Sequence, residues 1–231
     1  MPTEPKFIDC ACPSCGKSVS FHEDWRGMLE ECPDCLESLV VPREGGQLAH
    51  KVPVPITTPR LMLRRLALSD WPDLVEFLSD EELFRFADRG VADEVQIQRW
   101  LEADQLVKLT SPDTVFCLGM VIQSTGKLIG VIYLQLQDES RSQAKISVYV
   151  HRGHQRQGLA TEAVKGVCGF CFGGIGLHRV TAWCDSRNVA ARKLCEKAGM
   201  RCEGEFVQDH VSNDEWASSL WYAVLEEEYR A

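Results

Sequence analysis

"HQRQGLATEA", His154 to Ala163, stands at a junction. It follows "AKISVYV" (144–150), an apolar-rich run that reads as a strand, and it leads into "VKGVCGFCF" (164–172), which reads as a helix. Gly158 and Ala160 carry little or no side chain, so a ligand can approach the backbone there. A loop that opens a helix presents unpaired N–H groups, and the helix dipole adds positive potential. The stretch is therefore a candidate anion cradle, suited to a pyrophosphate, with Arg156 placed to add charge. A glycine before a helix is also an ordinary turn, and the surrounding sequence has to decide between the two.

The flanking segments alternate in type. "RLMLRRL" (60–66) reads as a strand, and "SDWPDLVEFLSD" (69–80) as a helix capped by Ser69 or Asp70. "DEVQIQRWLEADQLVKL" (93–109) predicts a second helix, with Val95, Trp100, Leu101 and Leu106 among its apolar positions. "TVFCLGMVI" (114–122) and "KLIGVIYLQLQ" (127–137) are β-rich runs joined by the hairpin signal "QSTGK". Beyond Gly158, Ala160, Ala163, Val164, Val167, Cys168 and Cys171 form a helical stripe. "HRVTAWC" (178–184) reads as a strand, and "NVAARKLCEKAG" (188–199) as a helix closed by Gly199. "RCEGEFVQDHV" and "WASSLWYAVL" predict an antiparallel pair around "SNDE". Strands and helices in this order imply an α/β or α+β fold with a partly parallel sheet.

In that setting "QRQGLA" resembles the Q/R-x-x-G-x-G/A signature of the GNAT superfamily of N-acyltransferases, where this loop holds the pyrophosphate of coenzyme A. "SVYV" sits where that family's splayed central strand lies, and "NVAARKLCEKAGM" resembles its N-x-x-S-x-x-x-L/Y-E-K-x-G-F helix. "TPRLMLRRL" and "CEGEFVQDHVSNDEWASSLWYAVLEEEY" resemble the opening and the C-terminal hairpin of the branch containing Rim-type ribosomal-protein N-acetyltransferases. The resemblance covers about 57–231. It implies a mixed sheet with a splayed central strand pair flanked by helices. It also implies acetyl-CoA as cosubstrate and a primary amine as acceptor, a small molecule or a protein N-terminus, with direct transfer in a ternary complex.

The resemblance places cosubstrate contacts at Val148, Tyr149 and Val150 on the splayed strand. It places others at Gln155, Arg156, Gln157, Gly158, Leu159, Ala160 and Thr161 in the loop. Backbone N–H groups on the strand would stabilise the charge that gathers on the carbonyl oxygen. Asn188 matches the family's asparagine, which positions the pantetheine arm or the helix start, and it is equally a plain N-cap. Many relatives carry a tyrosine general acid seven residues later. Here Cys195 stands there, on an apolar stripe with Ala191, Leu194 and Ala198, so core packing competes with proton donation. Ala191 replaces a usual serine, and Ser218 stands where the Rim-type hairpin often has aspartate. No base stands out. Asp185 at a strand end and His151 after Val150 are candidates, with capping or surface roles as their alternatives.

Five of the eleven cysteines fall before residue 36. "CPSC" (Cys12, Cys15) and "CPDC" (Cys32, Cys35) repeat one knuckle. Two such knuckles supply a tetrahedral S4 site suited to zinc, with Cys10 as a spare thiol two residues before the first ligand. The stretch 8–42 resembles small zinc ribbons, with Leu36 where a glycine is usual in the second knuckle. The expected organisation is a zinc ribbon over 1–42, a linker over 43–56 marked by "REGGQLAHKVPVP", and the acyltransferase domain over 57–231. "CGFC" (Cys168, Cys171) has redox-like spacing but falls on the buried stripe of a helix.

Residues 1–50 hold nine acids and four bases, and the whole chain carries a formal charge of −9, which argues against nucleic acid as the partner. No apolar run is long enough for a membrane span, and the N-terminus lacks a basic-then-apolar signal pattern, so a cytoplasmic protein is expected. Two further readings remain at this stage. One is a catalytically silent acyl-CoA-binding protein whose ribbon does the recognising. The other is a nucleic-acid adaptor, since ribbons often bind nucleic acid.

Overall fold

Short alternating strands build the N-terminal unit because "FIDCA" and "SVSFH" place apolar residues at every second position. In the computed structural model these are β1 (Phe7–Ala11) and β2 (Ser18–His22), antiparallel, with Ile8 opposite Phe21 and Cys10 opposite Val19. β3 (Leu29–Glu31) and β4 (Ser38–Val40) carry the second knuckle, and β5 (His50–Lys51) adds to β4. The structure describes residues 6–26, 29–42, 50–51, 54–87, 90–107, 109, 115–137, 142–212 and 214–230. Much of the expected linker, including its Gly45–Gly46 pair, lies outside them, as does Gly27 of the ribbon pattern. The part of 43–56 that is described is strand at both ends, since His50–Lys51 pairs with β4 and Ile56 opens the next strand. Backbone pairing at a sheet edge needs no side-chain period, so nothing in the composition announced it.

One eight-stranded sheet organises the rest, in the order β12-β13-β11-β10-β9-β8-β7-β6. Along the chain come β6 (Ile56–Thr57), β7 (Leu61–Arg64), helices α1 (Trp71–Leu78) and α2 (Glu94–Asp104), then β8 (Phe116–Ile122), β9 (Leu128–Leu136) and β10 (Gln143–Val150). Helix α3 (Leu159–Gly169) crosses to β11 (Arg179–Asp185). Helix α4 (Val189–Ala198), β12 (Arg201–Ser212), β13 (Glu215–Leu225) and the short α5 (Glu226–Arg230) complete the fold. Every pairing is antiparallel except β10 with β11. The near-continuous apolar run of β8 follows from burial on both faces. On one face Leu118, Met120, Ile132 and Ile146 pack with Val164 and Val167 of α3 and with Cys168 and Cys171. On the other face Cys117, Val121 and Val131 pack with Leu74, Phe77, Ile97 and Leu101 of α1 and α2. Val40 of the ribbon belongs to the first of these cores.

The helices hold some surprises. Helix α2 starts at the capping box of Asp93 and Gln96, yet Val95 and Leu106, expected among its apolar positions, are exposed. Ile97 and Leu101, one turn apart, carry the burial instead. Asp70 holds the N-cap position of α1, but its carboxylate takes Arg64 in a bidentate pair and the Ala67 N–H. In the stripe after Gly158, Ala163, Val164, Val167, Cys168 and Cys171 are buried and Ala160 is half-buried, and the α-helix turns into a π-helical segment at Phe170–Gly174. Gly199, with φ +90°, closes α4 as expected of a left-handed cap.

Candidate active site and metal centre

The parallel pair at the centre of the sheet is short. β10 and β11 match at Gln143–Arg179, Ala144–Val180 and Lys145–Thr181, and then part. Each keeps its other neighbour: β10 stays paired with β9 as far as Val150, and β11 with β13 as far as Asp185. A gap therefore opens between Ile146–Val150 and Ala182–Asp185, at the strand ends that lead into α3 and α4. In the β10–β9 ladder Gln137 N–H donates to Gln143 O and His151 N–H to Ile129 O, so the odd-numbered residues carry those bonds. Alternation then turns the amides of Val148 and Val150 toward the gap and that of Tyr149 toward β9. The Tyr149 ring stands on the α1–α2 face, 5.3 Å from Phe84 and 5.9 Å from Tyr133 between ring centres. A cavity of about 280 Å³ lies there, lined by Trp100, Tyr133, Lys145, Ser147 and Tyr149 among others.

The predicted cradle lies at the mouth of the gap. Gly158 is the N-cap of α3 with φ +78° and ψ 0°, a conformation glycine adopts without penalty, and among the described residues no side chain caps the helix. The first intrahelical bond is Glu162 N–H to Gly158 O, which leaves the amides of Leu159, Ala160 and Thr161 without an intrahelical acceptor. Gln155 and Gln157 brace the loop with their side chains: Gln155 Nε2 donates to Val150 O at 3.0 Å and Gln157 Nε2 to Gly153 O at 3.1 Å. Arg156 is exposed and itself left-handed, with φ +59°. A larger groove, about 870 Å³, runs along the other flank of α3 beside Thr57–Pro59. It reaches the cradle through Gly158 and Thr161 but does not open onto the strand gap, so the chemistry is assigned to the gap.

Arg60 and Glu162 belong to this site and were not singled out in the sequence. Glu162 Oε1 accepts from Thr58 Oγ1 and from Arg60 N–H, each at 2.7 Å, and Oε2 accepts from Arg60 Nε at 2.7 Å. Arg60 Nη1 donates to Gln157 O at 3.0 Å, so the strap before β7 fastens the loop to the helix. Burial alone raises the Glu162 carboxyl, and these bonds outweigh it and hold it below the usual carboxylate value. The one available signal was "TPR", read only as part of a strand opening; its partner lies about a hundred residues away.

The other candidates separate. Asn188 caps α4, with Oδ1 accepting from Ala191 N–H at 3.0 Å, which leaves its amide nitrogen free to donate elsewhere. Asp185 is fully buried and grips Arg187 through both carboxylate oxygens, at 3.0 Å from Nε and 2.7 Å from Nη2. Burial raises its carboxyl, and Arg187 overrides that and keeps it low, so Asp185 is a committed anion rather than a free base. His151 faces Glu76 at 3.4 Å, and its Nδ1 accepts from Gly153 N–H at 3.1 Å, which makes it part of the loop brace. Ser218 Oγ accepts from Gln208 N–H at 3.0 Å, beside a bulge in β12.

Cys195 is buried in the core that also holds Cys184 and Ala198, and burial pushes its thiol up to about 12. A proton held that firmly is poorly matched to an ordinary thiol near 8.5. Cys195→Ala is therefore expected to keep turnover within about threefold, while Cys195→Ser buries an extra hydroxyl at a cost of about 1–3 kcal/mol. Parallel measurement of turnover and Tm checks this. A loss on the order of 10²-fold in Cys195→Ala at unchanged Tm assigns the thiol to proton transfer instead.

The four knuckle cysteines converge. The Sγ atoms of Cys12, Cys15, Cys32 and Cys35 all lie within 4.8 Å of one another, with Cys12–Cys35 at 3.7 Å and Cys15–Cys32 at 3.8 Å. Tetrahedral zinc with bonds of about 2.3 Å spaces its sulfurs about 3.8 Å apart, so the set fits that ion. Cys10 is buried in β1 and stands outside the cluster. Both knuckles turn alike: Gly16 N–H donates to Cys12 O and Leu36 N–H to Cys32 O. Leu36 adopts φ +58° where Gly16 has +74°, so the second knuckle keeps the glycine conformation without the glycine.

Known proteins agree with this geometry. Residues 60–201 match the acetyltransferase (GNAT) domain family. An uncharacterized N-acetyltransferase, YnaD, of Bacillus subtilis is 28% identical over 175 residues, 75% of this chain and 98% of that protein. The crystal structure of a GNAT-family acetyltransferase from Bacillus anthracis superposes with a TM-score of 0.68 at 25% identity, covering 74% of this chain and 98% of the other. The ribosomal L7/L12 alpha-N-protein acetyltransferase RimL, solved with coenzyme A, shares the fold at 17% identity with a TM-score of 0.65, covering 74% of this chain and 97% of that one.

Proposed function

This chain belongs to the GNAT acetyltransferase family and is an acetyl-CoA-dependent N-acetyltransferase, and we propose that it moves the acetyl group directly to a primary amine presented on the α1–α2 face of the sheet. The observation that carries this reading is the gap between β10 and β11, open beneath the uncapped start of α3. The pyrophosphate of the cosubstrate lies against the amides of Gly158–Thr161, and the pantetheine arm runs into the gap past Asn188. The Val148 amide then faces the thioester carbonyl and stabilises the oxyanion as nitrogen attacks. The C–N bond forms, the C–S bond breaks, and CoA leaves as the thiol.

The acceptor meets a wall of Phe84, Tyr133, Tyr149 and Trp100, which suits an amine carried on an apolar or flat group, such as the first residues of a polypeptide. The ribbon over 1–42 holds one zinc ion through Cys12, Cys15, Cys32 and Cys35 and packs through Val40 against the 57–231 catalytic domain. The proposal is tested by thiol release from acetyl-CoA with benzylamine, spermidine and Ser- or Met-initiated hexapeptides. Turnover above hydrolysis with at least one of them is expected. Tight acetyl-CoA binding with no turnover on any would instead identify a silent acyl-CoA-binding protein.

A further inference from the structure

The bulge in β12 aims two side chains at the lip of the gap. From Phe206 to His210 this strand takes four steps while β13 takes two, from Ser219 to Ala217, and Gln208 in the middle has φ +51°. A bulge of this kind breaks the strict alternation of faces and re-aims side chains. Asp209 and His210, neighbours in sequence, consequently both reach the same site. Asp209 Oδ2 accepts from Ser219 Oγ at 2.6 Å, and Asp209 Oδ1 lies 3.0 Å from His210 Nδ1. His210 Nε2 lies 3.7 Å from Asp185 Oδ2, beyond hydrogen-bond length, and the ring stands edge-on to Trp183 with centres 5.7 Å apart. Trp183 and Asp185 lie on the β11 side of the gap, and in register they share the sheet face of Lys145, Ser147 and Tyr149.

Resting on the acetyl-transfer reading, we infer that His210 is the group that takes the proton from the acceptor ammonium, with Asp209 holding the ring. Asp209 accepts the Nδ1 proton, which fixes the tautomer and leaves the Nε2 lone pair without a hydrogen-bond partner among the described residues. The ammonium passes one proton to Nε2, and the freed lone pair of nitrogen forms the C–N bond as the C–S bond breaks. The second proton on nitrogen leaves with the departing sulfur as CoA thiol. The new imidazolium faces two anions, Asp185 from β11 and Asp209 from its own strand. Arg187 stays committed to Asp185 and to Glu215 of β13. The ring is partly exposed, its side chain at 24%, so it can shed the proton to solvent between turnovers.

The test combines kinetics with a readout that needs no acceptor. With whichever amine of the panel turns over fastest, His210→Ala should lower kcat about 10²-fold while acetyl-CoA binding by calorimetry stays within twofold. It should also shift the acid limb of the wild-type pH–rate profile, leaving the one set by the acceptor amine itself. Asp209→Asn should lower kcat less, about tenfold, and nitrogen-15 NMR should find the wild-type ring protonated at Nδ1 and the variant's tautomers mixed. Turnover of His210→Ala within threefold of wild type, or a wild-type ring protonated at Nε2, overturns the assignment. An inert wild type overturns the acetyl-transfer reading and this one with it, and is told apart because the unaltered protein is then silent.

Discussion

Gly158→Val is expected to abolish acetyl-CoA binding. At φ +78° a residue with a side chain is strained by about 1–2 kcal/mol, and a β-branched one by more. An added Cβ would find only the Arg60 guanidinium nearby, at 3.5 Å, which is ordinary contact, so the protein itself could accommodate the atom. The ligand could not. The branch would stand where a pyrophosphate has to meet the amides of Leu159, Ala160 and Thr161, and a loop that relaxes away from φ +78° turns those amides elsewhere. Calorimetry should show at least a 100-fold weaker Kd, about 2.8 kcal/mol. Arg156→Ala should cost about 3–10-fold, because the backbone and the helix dipole remain. Binding by Gly158→Val at wild-type strength would remove the cradle from this loop.

Cys32→Ser should empty the metal centre. Purified wild type is expected to hold about one zinc per chain, since four thiolates fill a structural site. The ribbon's own core is eight residues, Ile8, Cys10, Cys12, Val19, Phe21, Cys32, Leu39 and Val41, too few to fold unaided. Structural zinc contributes on the order of 10–16 kcal/mol in small ribbons, so losing it unfolds this unit. Elemental analysis should find far less than one zinc in the variant, and hydrogen exchange should lose protection in β1 to β4. The eight-stranded sheet should persist, weakened through the loss of Val40 from its core. Burial of one valine is worth about 1.5–3 kcal/mol at most, so its Tm should fall by roughly 3–12 °C. Undiminished zinc in the variant would replace the ligand set.

Some of this was legible in residues and some could not be. The start of α3 was visible because a single requirement, a left-handed residue at a helix start, has a single residue type as its usual answer. The knuckles were visible because Cys-x2-Cys records metal geometry in its spacing. The gap left no such record: "AKISVYV" and "HRVTAWC" have the same composition whether their strands pair or part, and parting depends on register with a neighbour. The bulge in β12 was equally silent, since Gln208 rather than glycine takes the positive φ. Arg60 and Glu162 meet across 102 residues, a distance no local pattern spans. Val95 and Leu106 mislead in the opposite sense, because apolar character marks what can be buried and not what is. The burial of Cys195 was legible, since its helical stripe was in plain view.

Three matched residue pairs join β10 to β11, with Thr181 Oγ1 donating across them to Ala144 O. Mechanically the sheet is two plates sharing a short seam, one running from β6 to β10 and the other from β11 to β13, with α3 and α4 laid across as a backing. On the proposed reading, an arm of pantetheine inserted beyond the seam would supply rungs that the protein leaves out, and the cosubstrate would complete the ladder instead of merely occupying a pocket. At a hundred times its Kd such a ligand adds about 2.7 kcal/mol to the folded state. That increment lies where the plates are least joined. On that reading, release of CoA would return the seam to the few bonds the protein itself supplies.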